Sequence, residues 1–554
     1  MSTTTASSSL TARLAGLGKA DRQLCGLLIG FSLLALALGI AYGVAMALVR
    51  SHVLVLPPET PYRVLTLHGT TAFFYWLYAA QAALLIVLAV GERDGGIALR
   101  PVAWAGALLI AAGFALSELG ALAGTPLLYE ANPELGLDDP GIVAVMAGGY
   151  LLLAAGLVGI AVSAIATVLS GARSGEAGFS ALGFGVFAWA GFLVVSSIAA
   201  TNAFLPSLLW ALGYGEFPHS AVTEWHILFH NLHYLPLMAT ILVWYALMRV
   251  VTGTTSIAAA AFSKIVFASY LVFVPPTSLY HMFLEPNLPE TVRVTGSLLS
   301  LFVSVPTLIA FLIIVASLEV HARANGGTGL FGWMRRLPWA DPVMANMGVA
   351  MLTMLIGLAF AFVLIQEKLA PLLSDTMFVP GYFHFFAIGT LTQTFLAGMM
   401  VALPAISGRP LWRPDLLSQV PWFVLAGVLL FGAGGIAAGF YGVPRRVADI
   451  GYDGAGPALW PAFMGLLGFG GVLSAAGLAV SLFGVARSLI PSPQRPPAAV
   501  APGIGWTNAP VATAAAWTGP IAVLALVAVM YGATIGAFEL MHALPVVASG
   551  GSGH

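Results

Sequence analysis

Long apolar stretches recur along this chain and constrain its fold more than any other feature. Each has about 20 residues or more, the length that a helix needs to cross the hydrocarbon core of a bilayer. We predict thirteen such helices, at approximately 24–49, 65–90, 101–123, 142–170, 180–204, 222–250, 261–284, 294–319, 343–366, 377–405, 419–441, 458–486 and 515–541. The sequence therefore predicts an all-α polytopic membrane protein, with an N-terminal tail at 1–23, a transmembrane domain at 24–541 and a short C-terminal tail at 542–554.

Composition agrees with this class and excludes others. The 554 residues are 59% hydrophobic and only 8% charged, which no soluble globular class matches. The formal net charge is -1, so nothing indicates nucleic-acid binding. The single cysteine, Cys25, excludes disulfides, covalent haem attachment and thiolate metal clusters within the chain. A cofactor must be held by His, Tyr, Met or carboxylate side chains.

Basic residues are distributed unequally between the two sides of the predicted bundle. With a cytoplasmic N-terminus, fifteen Lys and Arg residues lie inside and six lie outside. This bias follows the positive-inside rule and predicts a multi-pass protein of a bacterial or archaeal plasma membrane with its N-terminus in the cytoplasm. The adjacent pair Arg445 and Arg446 is an exception on the outside. It is either an accident of the loop or a clamp for acidic groups.

Nine of the histidines and tyrosines within the apolar stretches are the candidate functional residues, because ionisable groups in lipid are costly. In chain order they are His68, His226, His230, His233, Tyr234, Tyr280, His281, Tyr382 and His384. On a helix, His226, His230 and His233 fall within about 60° of one face. Tyr382 and His384 are two positions apart and point in roughly opposite directions, so each can face a different flat cofactor.

Several motifs, in order along nearly the whole chain, resemble the catalytic subunit I of the haem-copper oxidoreductase superfamily, closest to its B-type oxygen reductases. They are Thr66-Leu67-His68-Gly69, His230-Asn231-Leu232-His233-Tyr234, Leu301 to Glu319 followed by Gly329-Leu330-Phe331-Gly332-Trp333, Gly381-Tyr382-Phe383-His384, and Val443-Pro444-Arg445-Arg446. The resemblance implies a thirteen-helix subunit I bundle. It also implies that His68 and His384 bind a low-spin haem, expected to be b-type, and that Arg445 and Arg446 bind haem propionates.

The chain departs from the family pattern at the second metal centre. In the family a histidine stands where this chain has Tyr382, and that histidine is the proximal ligand of the active-site haem. Two adjacent copper-binding histidines stand where this chain has Tyr280 and His281. His230 matches the copper ligand that is cross-linked to a tyrosine, here Tyr234.

These substitutions leave alternatives open for a second haem and for copper or another non-haem metal. Tyr382 either binds haem iron as a phenolate, as in catalases, or packs in a vacated pocket. His230 and His281 are candidate ligands of the non-haem metal, completed by Tyr280, Tyr234 or an additional histidine. For His226 and His233, either one hydrogen-bonds another histidine, or all three histidines of that helix line a different metal pocket.

The leading functional hypothesis is a respiratory membrane oxidoreductase. An outer-side subunit II-like donor or cytochrome c-like protein would pass electrons through the low-spin haem to a modified centre at Tyr382, His230, His281 and Tyr234, which reduces O2 or a related small oxidant. One alternative is a reductase or dismutase of nitric oxide. Another is a non-catalytic electron-transfer or scaffold subunit that keeps one haem. Ser304 and Thr307 are candidate members of a proton path from the inside.

Overall fold

Helices make up nearly all of the computed structural model, which describes residues 10–93, 95–172, 179–253, 255–275, 291, 303–366, 369–447, 451–489 and 518–544. In chain order the bundle helices are α1 (Lys19–Arg50), α2 (Glu59–Gly91), α3 (Arg100–Ala123), α4 (Pro140–Ala172), α5 (Ala181–Ala211), α6 (Ala221–Thr252), α7 (Ala260–Phe273), α8 (Val305–Ala324), α9 (Pro342–Leu364), α10 (Phe378–Ser407), α11 (Pro414–Phe440), α12 (Trp460–Arg487) and α13 (Thr518–Ala543).

The predicted class, an all-α polytopic membrane protein, is confirmed. Eleven helices in the described part of the chain are long and apolar enough to cross a membrane. The helices outside that set are α7, which has 14 described residues, and α13. Thirteen is therefore an approximate number of membrane crossings.

Three helices form the centre of the bundle, and they are the helices that carry most of the candidate histidines. The most apolar stretch of α2 is 100% buried, and the corresponding stretches of α6 and α10 are each 89% buried. The outer helices pack closely through small residues, as is usual in membrane bundles. A Cβ atom added at Gly113 of α3 would lie 2.5 Å from the carbonyl oxygen of Gly149 on α4.

The chain enters the bundle earlier than we predicted. The first membrane helix begins at Lys19, whereas the apolar pattern placed its start at residue 24. The difference arises because Asp21 is buried, 1% exposed, and forms an ion pair with Arg100 at the start of α3. A short helix, Leu10–Ala15, precedes α1 and buries Leu14 completely. The predicted tail at 1–23 therefore contains residues that pack on the bundle.

The central helices α2 and α10 change their winding at corresponding places. Each contains an eight-residue π-helical segment, Gly69–Trp76 in α2 and Phe385–Thr392 in α10. The segments begin directly after His68 and His384, and π-helical insertions often mark functional sites. The indole nitrogen of Trp76 donates a 2.9 Å hydrogen bond to the hydroxyl of Thr392, which joins the ends of the two segments.

Candidate functional site

His68 on α2 and His384 on α10 face each other in the centre of the bundle. Their ring centroids are 6.5 Å apart, and the ring planes differ by 6°. The separation exceeds that of stacked rings in contact. Two metal–imidazole bonds of about 2 Å each, together with the two ring radii, account for a separation of this size. The geometry therefore suits two axial ligands of one metal ion.

Hydrogen bonds fix the orientation of both imidazoles. Nδ1 of His68 lies 3.1 Å from the carbonyl oxygen of Gly39, and Nδ1 of His384 lies 2.7 Å from that of Pro380. A carbonyl oxygen only accepts, so each Nδ1 carries the proton. Each Nε2 then keeps its lone pair for a metal, with its ring held as metal-binding histidines usually are.

A cavity of about 270 Å³ surrounds the two rings. A cavity that holds a single water molecule needs a volume of only about 10–15 Å³, so this cavity suits a much larger group. Its walls are mostly apolar, from α1, α2, α10, α11 and α12. Gly43 and Gly69 leave room in these walls. A Cβ atom at Gly43 would lie 3.0 Å from Cε1 of His68, and one at Gly69 would lie 2.5 Å from Cδ1 of Tyr129.

One end of the cavity is basic, because Arg50, Arg445 and Arg446 line it together with Tyr129. Arg50 is only 5% exposed and donates from Nη2 to the carbonyl oxygen of Arg445 at 3.1 Å. Within the described residues, its Nη1 has no hydrogen-bond partner. A buried donor of this kind requires an acceptor, and a carboxylate supplies one that also neutralises the charge.

The loop after α11 holds the arginine pair above the start of α10. Backbone hydrogen bonds join Met377 to Val443 at 2.8 Å and Arg445 to Asp375 at 3.0 Å. The Arg445 side chain also pairs with the Asp375 carboxylate at 3.2 Å. This attachment fixes the arginine pair relative to His384.

Arg446 forms a mixed cluster with Tyr129 and Glu130, on the loop after α3. It donates to the Glu130 carboxylate and, at 3.3 Å, to the Tyr129 hydroxyl. Burial opposes the charged form of Arg446, but Tyr129 and Glu130 outweigh it and raise its pKa above the usual value. Burial also raises the pKa of Glu130, although Arg446 and Arg445 act in the opposite direction.

These residues fit a haem with carboxylate side chains. Two imidazoles present lone pairs across a flat, apolar slot, and a buried guanidinium with an unused donor lies at one end. A haem would be held by His68 and His384 through its iron, and Arg50, Arg445 and Arg446 would bind its propionates. Arg50 was not predicted as a site residue. Its only signal in the sequence was its place among the few basic residues at the outer ends of helices.

A third histidine, His233 on α6, also lines this cavity. Its Nδ1 lies 2.8 Å from the carbonyl oxygen of Phe229, so this nitrogen donates as well. The Phe383 ring separates His233 from His384, with ring centroids 5.0 Å from the first and 6.3 Å from the second. His233 is thus placed in the wall of the His68 and His384 cavity.

The described residues give no support to the alternative in which all three histidines of α6 line one metal pocket. No group of three His, Cys or acidic side chains in the described part of the chain lies close enough to share a metal ion. His226 and His233 are seven positions apart, a rise of about 10 Å along the helix axis, which is too far for one ion. His226 is half-buried, and His230 is fully buried with its ring centroid 5.0 Å from that of Tyr234.

Tyr382 lies on the side of α10 away from the cavity. Its ring centroid is 5.8 Å from that of Phe378 and 6.4 Å from that of Phe386. The predicted partners Tyr280 and His281 lie outside the described residues. The second centre is therefore described only at Tyr382, His230 and Tyr234.

A series of hydroxyl groups on α6, α7 and the start of α8 leads toward Tyr234. Tyr245 contacts Ser263 at 3.4 Å, and Tyr270 contacts Thr307 at 2.7 Å through their hydroxyl oxygens. Tyr234 lies close to Ser304. Both Ser304 and Thr307, which we singled out in the sequence, are thus beside tyrosines.

The fold and the site together define a membrane helical bundle built to hold a haem between two histidines. The family model described as "Cytochrome C and Quinol oxidase polypeptide I" matches residues 23–473, so the chain belongs to this family and the predicted resemblance to haem-copper oxidase subunit I is confirmed. Family membership implies haem and copper as the general cofactors and a subunit II as a typical partner in the membrane.

Two known proteins show how far the similarity extends. Cytochrome c oxidase subunit 1 of Thermus thermophilus is 28% identical over 319 residues, which span 57% of this chain and 56% of that relative. A solved structure of a haem-copper terminal oxidase dimer matches with a TM-score of 0.80 over 93% of both chains, at 20% identity. At this identity the structural match establishes the fold alone.

Proposed function

We propose that this chain is a respiratory membrane oxidoreductase that carries electrons through a haem on His68 and His384. The observation that carries the proposal is the pair of parallel imidazoles 6.5 Å apart. Both Nδ1 atoms donate to carbonyl oxygens, so the ligand nitrogens are preset. The haem would supply one-electron chemistry, and the chain supplies its ligands, apolar slot and basic end.

Electrons enter at the basic end of the cavity in this proposal. Arg445, Arg446 and Tyr129 lie there, on loops that the charge distribution assigns to the outside. The chain has one cysteine and no Cys-x-x-Cys-His motif, so a cysteine-ligated copper centre or a covalently held haem must belong to the donor. The donor is therefore a subunit II-like or cytochrome c-like protein.

The electrons are consumed at a second centre around Tyr382, His230 and Tyr234, where O2 or a related small oxidant is reduced. The positions of Tyr382 and His384, two residues apart and on opposite sides of α10, support this arrangement. The hydroxyl series of Tyr245, Tyr270 and Tyr234 would deliver protons from the inside. In this scheme Tyr234 holds a proton at its hydroxyl oxygen, next to Ser304.

A second candidate is a non-catalytic electron-transfer or scaffold subunit with a single haem. It is favoured by Tyr382, which stands between Phe378 and Phe386 where the family has a proximal histidine. The low-spin haem on His68 and His384 is common to both candidates. They differ in the number of cofactors for each chain.

Optical spectroscopy with metal analysis separates the two candidates. The oxidoreductase should contain a low-spin haem and a second centre that binds carbon monoxide or nitric oxide when reduced. One haem per chain, no copper and no ligand binding would rule out the catalytic role in favour of the scaffold. A His384→Ala variant should lose the low-spin spectrum in either case. If it does not, the assignment of the haem to this cavity is wrong.

A further inference from the structure

Glu118 on α3 is a buried carboxylate whose surroundings differ from those of the other buried acids. Within the described residues, three acidic side chains of membrane helices are at most 8% exposed: Asp21, Glu118 and Glu319. Asp21 pairs with Arg100, and Glu319 pairs with Arg323. The hydrogen-bond partners of Glu118 are hydroxyl groups instead.

Two neutral donors hold the Glu118 carboxylate from two other helices. The Thr71 hydroxyl on α2 donates to Oε1, and the Tyr42 hydroxyl on α1 donates to Oε2 at 3.3 Å. Hydroxyl donors stabilise a carboxylate without neutralising it, and a charge without a counter-ion is costly inside a membrane. An arrangement of this kind is suited to gaining and losing a proton.

The groups that face Glu118 from the neighbouring helices are phenols. They are Tyr42 on α1, Tyr75 on α2 and Tyr150 on α4. Arg63 on α2 is the cation at the same end of the bundle as Glu118. It pairs with Glu59 and donates to the carbonyl oxygens at the end of α3. No charged side chain in the described ranges forms an ion pair with Glu118.

The two donors to the Glu118 carboxylate lie on α1 and α2, which both contribute walls to the His68 cavity. Thr71 lies three residues after His68 on the same helix. Tyr42 adjoins Gly43, whose added Cβ would lie 3.0 Å from the His68 ring. A change of charge at the iron would therefore act on Glu118 across a short stretch of low-dielectric interior.

We propose that Glu118 is a proton-binding site coupled to the haem that His68 and His384 hold. The inference rests on the proposed function. When the iron changes from ferric to ferrous with one electron from the donor protein, the Glu118 carboxylate takes up one proton from the aqueous phase and becomes a carboxylic acid. On reoxidation the proton leaves. Tyr42, which is half-buried and donates to the carboxylate, is the exchange group in this proposal.

The test is the midpoint potential of the low-spin haem measured at several pH values in the purified protein with its partner subunits. Wild type should show a potential that falls with pH, approaching about 59 mV per unit for one proton per electron. Glu118→Gln should lose at least half of this slope. The matched control, Glu134→Gln, makes the same change at an exposed carboxylate between α3 and α4 and should keep the slope.

Infrared difference spectra of wild type give a second readout. Reduction should produce the carbonyl band of a protonated carboxyl group, and the band should be absent in Glu118→Gln. If that variant does not assemble, Tyr42→Phe keeps the carboxyl group, removes one donor and should shift the band. A pH-independent potential in wild type, or equal slopes in wild type and Glu118→Gln, overturns the proposal. A protein without a bis-histidine haem refutes the proposed function instead.

Discussion

Gly43 sets the space available to the His68 imidazole. A Cβ atom at this position would lie 3.0 Å from Cε1 and 3.4 Å from Nδ1 of the ring. The ring cannot yield freely, because its Nδ1 is bonded to the carbonyl oxygen of Gly39. A side chain at position 43 would therefore press against the His68 ring and displace it from its present orientation.

We expect Gly43→Ala to lower the haem content of the purified protein. Overpacking of this kind costs about 1–3 kcal/mol, and the cost would fall on the haem-bound arrangement of His68. Haem content and melting temperature of the same preparations provide the measurement. Gly30→Ala is the matched control, since it lies on the same helix and an added Cβ there meets nothing within 4 Å. Equal haem content in the two variants would contradict this account.

The sequence predicted the site residues to different degrees. His68 and His384 could be proposed as a pair because each lies in a motif on an apolar helix. Arg50 and Glu118 were missed because their significance depends on which helices meet, and no periodicity in one helix contains that information. His233 was predicted beside a non-haem metal, but the winding of α6 places it in the cavity wall. Tyr382 was singled out by its position alone, and its role remains a proposal.

The two π-helical segments act as a pair at the level of the elements. Each follows one of the two facing histidines, His68 and His384, and the Trp76–Thr392 hydrogen bond joins their ends. A second bond of the same chemistry, from Trp244 on α6 to Thr394 on α10, has a length of 2.8 Å. Thr394 lies just beyond the π-helical segment. Removing one bond or the other should therefore distinguish an effect on stability from an effect on the distance between His68 and His384.

We expect Trp76→Phe and Trp244→Phe to lose similar stability, because each removes one hydrogen bond, worth about 0.5–1.5 kcal/mol, and the same volume from a buried position. Only Trp76→Phe should change the electron paramagnetic resonance spectrum of the ferric low-spin haem, because only that bond ties together the segments behind His68 and His384. Thermal unfolding measures the first effect, and the spectrum measures the second. A spectral change of equal size in Trp244→Phe would show that the segments do not set the ligand geometry.

Helix lengths and helix order were predictable from the sequence because the apolar pattern repeats along the chain. The residues at which helices begin and end were harder to predict. The start of α1 was placed too late because Asp21 is a charged residue in a buried position, where it pairs with Arg100. The π-helical segments have no pattern of their own, since they differ from an α-helix only in hydrogen-bond register.

At the scale of the whole molecule, the two ends of the bundle differ in what their polar residues do. At one end Arg50, Arg445 and Arg446 line a cavity and leave donors for a ligand. At the other end Asp21 and Arg100 pair with each other and join helices. The arginines that line the cavity therefore keep donors for a ligand, whereas Arg100 serves to join two helices.

The distribution of basic residues predicts the orientation of the protein in the membrane, and thiol labelling can check this prediction. Cys25 is fully buried, so it contributes little background. Asp138→Cys lies on an exposed loop assigned to the outside, and Asp415→Cys replaces a side chain that is 68% exposed on the opposite side. The Asp415 pair with Arg413 is a surface pair of small energetic value, so its loss should not affect folding. In intact cells a membrane-impermeant maleimide should label Asp138→Cys only, and opening the membrane should expose Asp415→Cys. The reverse pattern would place the basic end of the cavity in the cytoplasm and require the electron donor to bind there.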